Sequence, residues 1–276
     1  MRILVPVDFS AFADYAINLA TLYLKKFGGE LHLFHCIEIP DDWQDLPTEQ
    51  NFKNTVYKPS NYQAEEKFKL LSNELINKSI NAKYHIVNGR FLDQLKKITS
   101  EESFDLVVMG SHGSGGFKDA LLGSKTQKAV RKLKQNILVV KKSIPNIKYR
   151  NVLFVSGLNT EDLEAFHKFL DFISEFQLDK IHVMAVDTDS FFSQPSFIMK
   201  KALKKFKNEA ANHPIETHFY EDRSIKKGIE HFTDENDIDL IAISNHHRHP
   251  LKRIFRGSHV EILVNHSNVP VLSIDY

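Results

Sequence analysis

The sequence predicts an α/β fold built from two doubly wound, parallel-sheet domains in tandem. Short apolar runs alternate with segments in which apolar residues recur at helical spacing, which is typical of βαβ units. The first run, residues 3–7, is apolar without interruption, as expected of a parallel strand that is buried on both faces. The same order of elements is then repeated along the 276 residues of the chain.

The elements of the first half follow from these patterns in order. The first strand precedes a helix whose apolar positions run from Phe12 to Leu24. The stretch 40–62 is polar and contains three prolines, which is loop composition. The remaining predicted elements are strand 31–37, helix 64–79, strand 83–87, helix 91–100, strand 106–109, helix 124–133 and strand 137–140.

An internal repeat divides the chain. The first strand at Arg2 aligns with Asn151, an offset of 149, and the second strands align at the same offset. The fourth strands, at Asp105 and Asp239, align at an offset of 134. The difference of 15 residues is assigned to the polar stretch of the first half. Duplication of a whole domain explains this order, with predicted domains 1–144 and 145–276.

Composition narrows the classes of partner and compartment. Charged residues make up 26% and the net charge is +1, so no nucleic acid and no membrane is predicted as a partner. No apolar run approaches the roughly 20 residues needed to cross a bilayer. The apolar N-terminal stretch is interrupted at Asp8, unlike a signal peptide. One cysteine excludes an internal disulfide framework. We expect a cytoplasmic protein.

Glycines cluster between the fourth strand and the helix that follows it. Gly110, Gly113 and Gly123 lie in this connection, and Ser124 begins the predicted helix. Glycine lets the backbone approach an anion closely, and the free N–H groups of a helix start point towards it. This pattern predicts a phosphate cradle, with a plain flexible connection as the alternative.

The spacing resembles a known signature. The order is Gly110, two residues, Gly113, nine residues, and then Gly123-Ser124. This spacing is similar to the nucleotide signature of the universal stress protein family. The strand that leads to Asp8 and the strand that leads to Gly110 also resemble that family. The resemblance is strong over the first half and weak over the second. It implies Rossmann-like domains with five main strands each, and an adenine nucleotide as ligand.

The resemblance implies a set of binding residues, which divide by the part of the ligand they would contact. Pro6, Val7, Asp8, Cys36 and Ile37 would line the adenosine, Met109, Gly110, His112 and Gly113 the ribose and phosphates, and Gly123, Ser124 and Lys125 the outer phosphates. For three of these residues the sequence also allows a purely structural role. Asp8 also fits a loop or helix cap, Cys36 a small buried hydrophobe, and Lys125 a solvated cation. No catalytic role is predicted for His112.

Other nucleotide and catalytic motifs are absent from the sequence. There is no Gly-x-x-x-x-Gly-Lys-Ser/Thr, because Gly123-Ser-Lys-Thr126 has Ser where the P-loop needs Lys. No Gly-x-Gly-x-x-Gly follows the first strand, and no Gly-x-Ser-x-Gly elbow is present. We therefore predict no catalytic residues.

The second half has lost the cradle. The repeat places Gly157 where the first half has Asp8, and Ser244 and His247 where it has the first two glycines. Three histidines in this loop, His246, His247 and His249, raise the question of a metal. A solvated, partly cationic loop is the preferred interpretation, and no metal site is predicted.

These inferences predict a regulatory stress-response protein that binds ATP or a related adenine nucleotide in its first half. The second half is then a structural partner, and the fifth strands of the two halves pair antiparallel within the chain. Further homodimerisation and Mg²⁺ bound with the phosphates are left open. The alternatives are a slow ATPase or adenine-nucleotide hydrolase, and an interaction module without a ligand.

Overall fold

The computed structural model describes residues 1–38, 50–111, 125–158, 161–187, 196–210, 213–245 and 267–276, with the backbone alone for 50–58. The chain divides into two compact units, Met1–Gly110 and Ser111–Tyr276.

The first unit alternates strands and helices as predicted. Its elements are β1 (Arg2–Pro6), α1 (Ala11–Phe27), β2 (Glu30–Ile37), α2 (Gln50–Asn77), β3 (Asn81–Asn88), α3 (Phe91–Glu101) and β4 (Leu106–Gly110). The strands lie in the order β3-β2-β1-β4, and each neighbouring pair is parallel. The predicted α/β class with parallel strands is confirmed.

Helix α2 corrects one prediction. The stretch 40–62 was assigned to a loop, yet the described part of it from Gln50 onwards is helical, with Pro59 inside the helix. The C-terminal part of α2 is anchored by the buried side chains of Ala64, Phe68 and Leu75. Extending an existing helix adds one hydrogen bond per residue without a new nucleation cost. Loop-like composition was therefore a poor guide to where this helix begins.

The second unit repeats the pattern. Its elements are α4 (Lys125–Lys132), β5 (Ile137–Val140), β6 (Asn151–Val155), α5 (Glu161–Ile173), β7 (Lys180–Asp187), α6 (Ser196–Glu209), β8 (Ile215–Glu221), α7 (Ile225–Glu235), β9 (Leu240–Ser244) and β10 (Val271–Ile274). Its strand order is β5-β10-β9-β6-β7-β8. All neighbours are parallel except β5 and β10.

The antiparallel pairing of β5 with β10 is the one predicted for the fifth strands. Leu138 lies opposite Leu272, and Val139 lies opposite Val271. The proposed domain boundary at residue 144 stays a prediction.

The backbone preserves the repeat in detail. Asp105 accepts a hydrogen bond from the backbone N–H of Arg2 at 2.6 Å, and Asp239 accepts one from Asn151 at 3.0 Å. Phe9 and Leu158, 149 residues apart, both have a φ of 60°.

The second strands require one adjustment to the alignment. Ile3 pairs with Leu31, whereas its counterpart Val152 pairs with Ile181. The second strands are therefore offset by 150 residues and not by 149, because the connection from the first strand is one residue longer in the second half.

Burial follows the predicted layering. Strands β4, β5, β9 and β10 are buried along nearly their whole length, as expected of strands covered on both faces. Among the described helices, none combines the length and the apolar character needed to cross a bilayer.

Candidate functional site

The strand order of the first unit creates a switch point. β1 pairs with β2 on one side and with β4 on the other, where Ile3 lies beside Leu106. The chain thus passes from β3 back across β1 to reach β4. Ligands of open α/β sheets bind beyond the carboxyl ends of the strands at such a reversal. Asp8 and Gly110, which follow or end these two strands, therefore lie at the same edge of the sheet.

The end of β1 supplies an exposed carboxylate. Pro6 and Val7 are buried, whereas Asp8 is exposed. The Asp8 Oδ1 accepts hydrogen bonds from the backbone N of Ser10 at 3.0 Å and from its Oγ at 2.6 Å. Ser10 is the N-cap of α1 and accepts from Ala13 N. Asp8 thus organises the start of α1 while its carboxylate remains open to solvent.

The end of β2 is held by a second connection. Cys36 is buried, and its thiol donates to the carbonyl oxygen of Gly89 at 3.3 Å. The backbone N of Gly89 donates to the carbonyl of Ile37 at 3.0 Å. His35 Nδ1 donates to the carbonyl of Val7 at 2.7 Å. These bonds fix the ends of β1, β2 and β3 relative to one another. The Cys36 thiol takes part in this network as a buried donor.

Gly110 has a packing function that sequence reasoning missed. A Cβ at this position would lie 2.1 Å from the carbonyl oxygen of Phe12, in the first turn of α1. No side chain fits there, because the nearest atoms are backbone and not the end of a flexible side chain. Met109, just before it, is buried. Gly110 therefore lets β4 pass close beneath the helix start that Asp8 organises.

Four residues of the predicted binding set lie outside the described residues: His112, Gly113, Gly123 and Ser124. Lys125 is the first described residue of α4 and is exposed.

The second half carries a buried carboxylate at the corresponding strand ends. Asp162 has no exposed surface, and its two oxygens accept from Ser156 Oγ at 2.8 Å and from Ser244 Oγ at 2.5 Å. By the repeat, Ser156 and Ser244 occupy the positions of Val7 and Gly110. A buried carboxyl group that is hydrogen-bonded on both oxygens thus lies at this edge. The paired serines were the signal for it in the sequence, but their partner was not evident.

Two histidine pairs were also missed. His32 Nδ1 lies 3.0 Å from His85 Nε2, and His182 Nδ1 lies 2.9 Å from His218 Nε2. Burial, and then the neighbouring His218, lower the pKa of His182 to about 4. Burial and His32 likewise lower the pKa of His85. The signal was a histidine on the second and on the third strand of each half.

The fold is that of an open, doubly wound α/β protein, with a switch point between β1 and β4. The model of the family described as "Universal stress protein family" matches residues 1–141 and again 148–274. The chain belongs to the universal stress protein family, with two such domains in tandem.

Relatives cover either half or all of the chain. Universal stress protein MJ0577 of Methanocaldococcus jannaschii is 28% identical over 153 residues, which span 51% of this chain and 94% of that protein. MJ0531 of the same organism is 25% identical over 147 residues, spanning 51% and 82%. A universal stress protein structure from Archaeoglobus fulgidus matches 99% of this chain and 96% of that chain, with a TM-score of 0.75 and 17% identity. The last likeness shows the fold alone.

Proposed function

We propose that this protein is a stress-response regulator that binds ATP or a related adenine nucleotide in its first half. The observation that carries the proposal is the adjacency of β1 and β4, which brings the exposed Asp8 carboxylate and the start of the glycine loop to one edge. A carboxylate accepts hydrogen bonds from an adenine amino group or a ribose hydroxyl. The glycine spacing that begins at Gly110 supplies the phosphate side.

The residues at this edge fit such a ligand. Asp8 Oδ1 accepts from Ser10, and a carboxylate offers about four lone-pair sites, so the contact with Ser10 does not exclude a ligand. The backbone of the loop after Gly110 would hold the phosphates through its N–H groups. Mg²⁺, which prefers oxygen ligands, would enter with the phosphate oxygens.

The proposed output is regulation through nucleotide-dependent conformation or association, without turnover. Hydrolysis is tested by measuring phosphate release from ATP over hours by the purified protein. An interaction module with an empty site is tested by mass analysis of small molecules released from protein that was purified without added nucleotide.

The role of Asp8 is tested by calorimetric titration of ATP, with and without Mg²⁺. Asp8→Ala should weaken binding by about 1.5–3 kcal/mol, the range for a hydrogen bond to a charged group. Asp14→Ala is the matched control, because Asp14 is an exposed carboxylate in the first turn of the same helix. Equal affinity of the Asp8 variant and this control would remove Asp8 from the site.

A further inference from the structure

We propose that His32, His85 and Glu102 form a binding site for a divalent transition-metal ion of the Zn²⁺ class. The three residues come from β2, β3 and the residue that follows α3. Their potential ligand atoms all lie within 4.8 Å of one another. This site is separate from the proposed nucleotide edge and does not depend on it.

The spacing of the two imidazoles suits a shared ion. His85 pairs in register with Phe34, two residues along β2 from His32, so both rings stand on the same face of the sheet. Their facing nitrogens are 3.0 Å apart. A tetrahedral ion with bonds of about 2.0–2.1 Å holds two nitrogens about 3.3 Å apart. Moving the two nitrogens apart by a few tenths of an ångström would therefore make room for the ion.

The second nitrogen of His32 is arranged as it is in metal sites. His32 Nε2 lies 3.0 Å from Glu30 Oε1, and Glu30 also pairs with Arg2 Nε at 2.9 Å and with Lys83 Nζ at 2.8 Å. Glu30 Oε1, at 3.0 Å, is a closer partner of His32 Nε2 than the donor Arg2 Nη2 at 3.4 Å, and a carboxylate accepts, so Glu30 favours the imidazole proton on Nε2. The lone pair of Nδ1 then faces His85. Metal-ligating histidines almost always donate their other N–H in this way.

The burial of the three residues and their access to solvent also suit a metal ion. The His32 ring is 1% exposed and packs edge-on against Phe104, with a centroid distance of 5.0 Å, which fixes its orientation. His85 and Glu102 are only partly buried. An ion could enter from that side and keep a water there, since three protein ligands leave one tetrahedral position open.

The nearby charges set the expected strength. Glu102 Oε2 lies 3.8 Å from His32 Nδ1 and accepts from Arg2 at 2.5 Å. Arg2 thus keeps the third ligand beside the imidazole pair. The cations Arg2 and Lys83 are paired with the carboxylates of Glu30 and Glu102. Because the ion must share Glu102 with Arg2, we expect weaker binding than in a closed structural zinc site.

The second half provides an internal comparison. His182 and His218 face each other at 2.9 Å, with Glu216 as the third group. The position of Glu30 is taken by Lys180, which pairs with Glu216 at 2.8 Å. An ammonium cannot accept the imidazole proton. The second pair therefore lacks the orienting carboxylate, and we expect it to bind the same ion less tightly.

The test uses the full chain without a histidine tag and the metal alone. Zn²⁺ affinity is measured by competition with a chromophoric chelator, and Co²⁺ reports the ligand geometry through its visible absorption. His85→Gln should weaken the tightest binding event at least tenfold, and Glu30→Gln should weaken it about 10–100-fold. His218→Gln and a triple His246, His247, His249→Gln variant are the matched controls and should leave it unchanged.

Melting curves establish that each variant folds, and Glu30→Gln decides the matter where His85→Gln does not fold. The proposal is overturned if the wild-type chain gives no Co²⁺ band at millimolar metal. It is equally overturned if the decisive variant binds as tightly as the wild-type chain, or if the tightest site is lost only in one of the two controls.

Discussion

Leu138 and Leu272 lie directly opposite each other in the antiparallel pair of β5 and β10, and both are completely buried. A terminal apolar strand with an open edge is an aggregation hazard. Each of these strands covers the edge of the other. Strand β10, from the second half of the sequence, therefore covers the edge of β5 whether or not a nucleotide binds.

The first prediction concerns this pair. Leu272→Ala should destabilise the fold by about 2–5 kcal/mol, the range for buried Leu truncations. Leu272→Glu should also cause association of chains, because it buries a charge without a partner. Urea unfolding and size-exclusion chromatography measure the two effects. Leu70→Glu is the control, since Leu70 is 69% exposed. A monomeric Leu272→Glu protein of wild-type stability would show that the pairing contributes nothing.

The second prediction concerns Gly110. Gly110→Ala should destabilise the protein by about 1–3 kcal/mol, because the added Cβ would lie 2.1 Å from the Phe12 carbonyl oxygen. Gly228→Ala is the comparison, where the nearest atom is the Val186 Cγ1 at 2.8 Å. A side chain yields more readily than backbone, and Gly228 lies in a helix where Ala is favoured. Equal unfolding free energies for the two variants would contradict the packing role.

The third prediction tests the buried carboxylate. Asp162→Ala should cost about 1–3 kcal/mol or more, because the buried hydroxyls of Ser156 and Ser244 lose their acceptor. Asp171→Ala, an exposed change on the same helix α5, should be nearly neutral. Thermal unfolding of both variants measures the difference. An Asp162 variant as stable as the Asp171 variant would mean that the cluster does not support the fold.

The fourth prediction is a pH dependence. Burial, together with the Lys226 cation, lowers the pKa of Lys141 from 10.5 to about 8, against the opposing pull of Glu230. Between pH 8 and 10.5 the unfolded chain therefore holds a proton that the folded chain has released, so stability from this group rises with pH over that window. Lys141→Gln should remove this rise and be the more stable protein below pH 8.

The control for that experiment is Lys142→Gln, since Lys142 is exposed. Urea unfolding at several pH values between 7 and 10.5 gives the difference between the two variants. A parallel pH dependence in both would show that Lys141 is not desolvated in the folded protein.

Periodicity predicted most of the fold because most of the strands and helices bury a continuous or regularly spaced apolar set. Strands β3 and β8, which have no buried residue, are exceptions. The strand 106–109 and the strand 137–140 were placed to within a residue for that reason. The start of α2 was missed, since Gln50 to Tyr62 carries no apolar period and is helical by continuation. The role of Gly110 against Phe12 depends on a contact across 98 positions of sequence, which no local pattern reports.

The candidate site divides in the same way. Asp8 could be recognised because it follows a strand in a known motif. The Asp162 cluster and the His32–His85 pair could not, because their meaning comes from partners on other elements. Polar residues on buried strands gain a function only when the sheet order brings their partners beside them.

The proposed function requires one adenine nucleotide per chain, held in the first half. Isothermal titration of ATP into the full chain, freed of any co-purified ligand, tests it most directly, with Gly113→Val as the comparison. A branched side chain in the predicted cradle would occupy phosphate space. We expect one bound nucleotide per wild-type chain and none in the variant. A stoichiometry of two, or unchanged affinity in Gly113→Val, would contradict it.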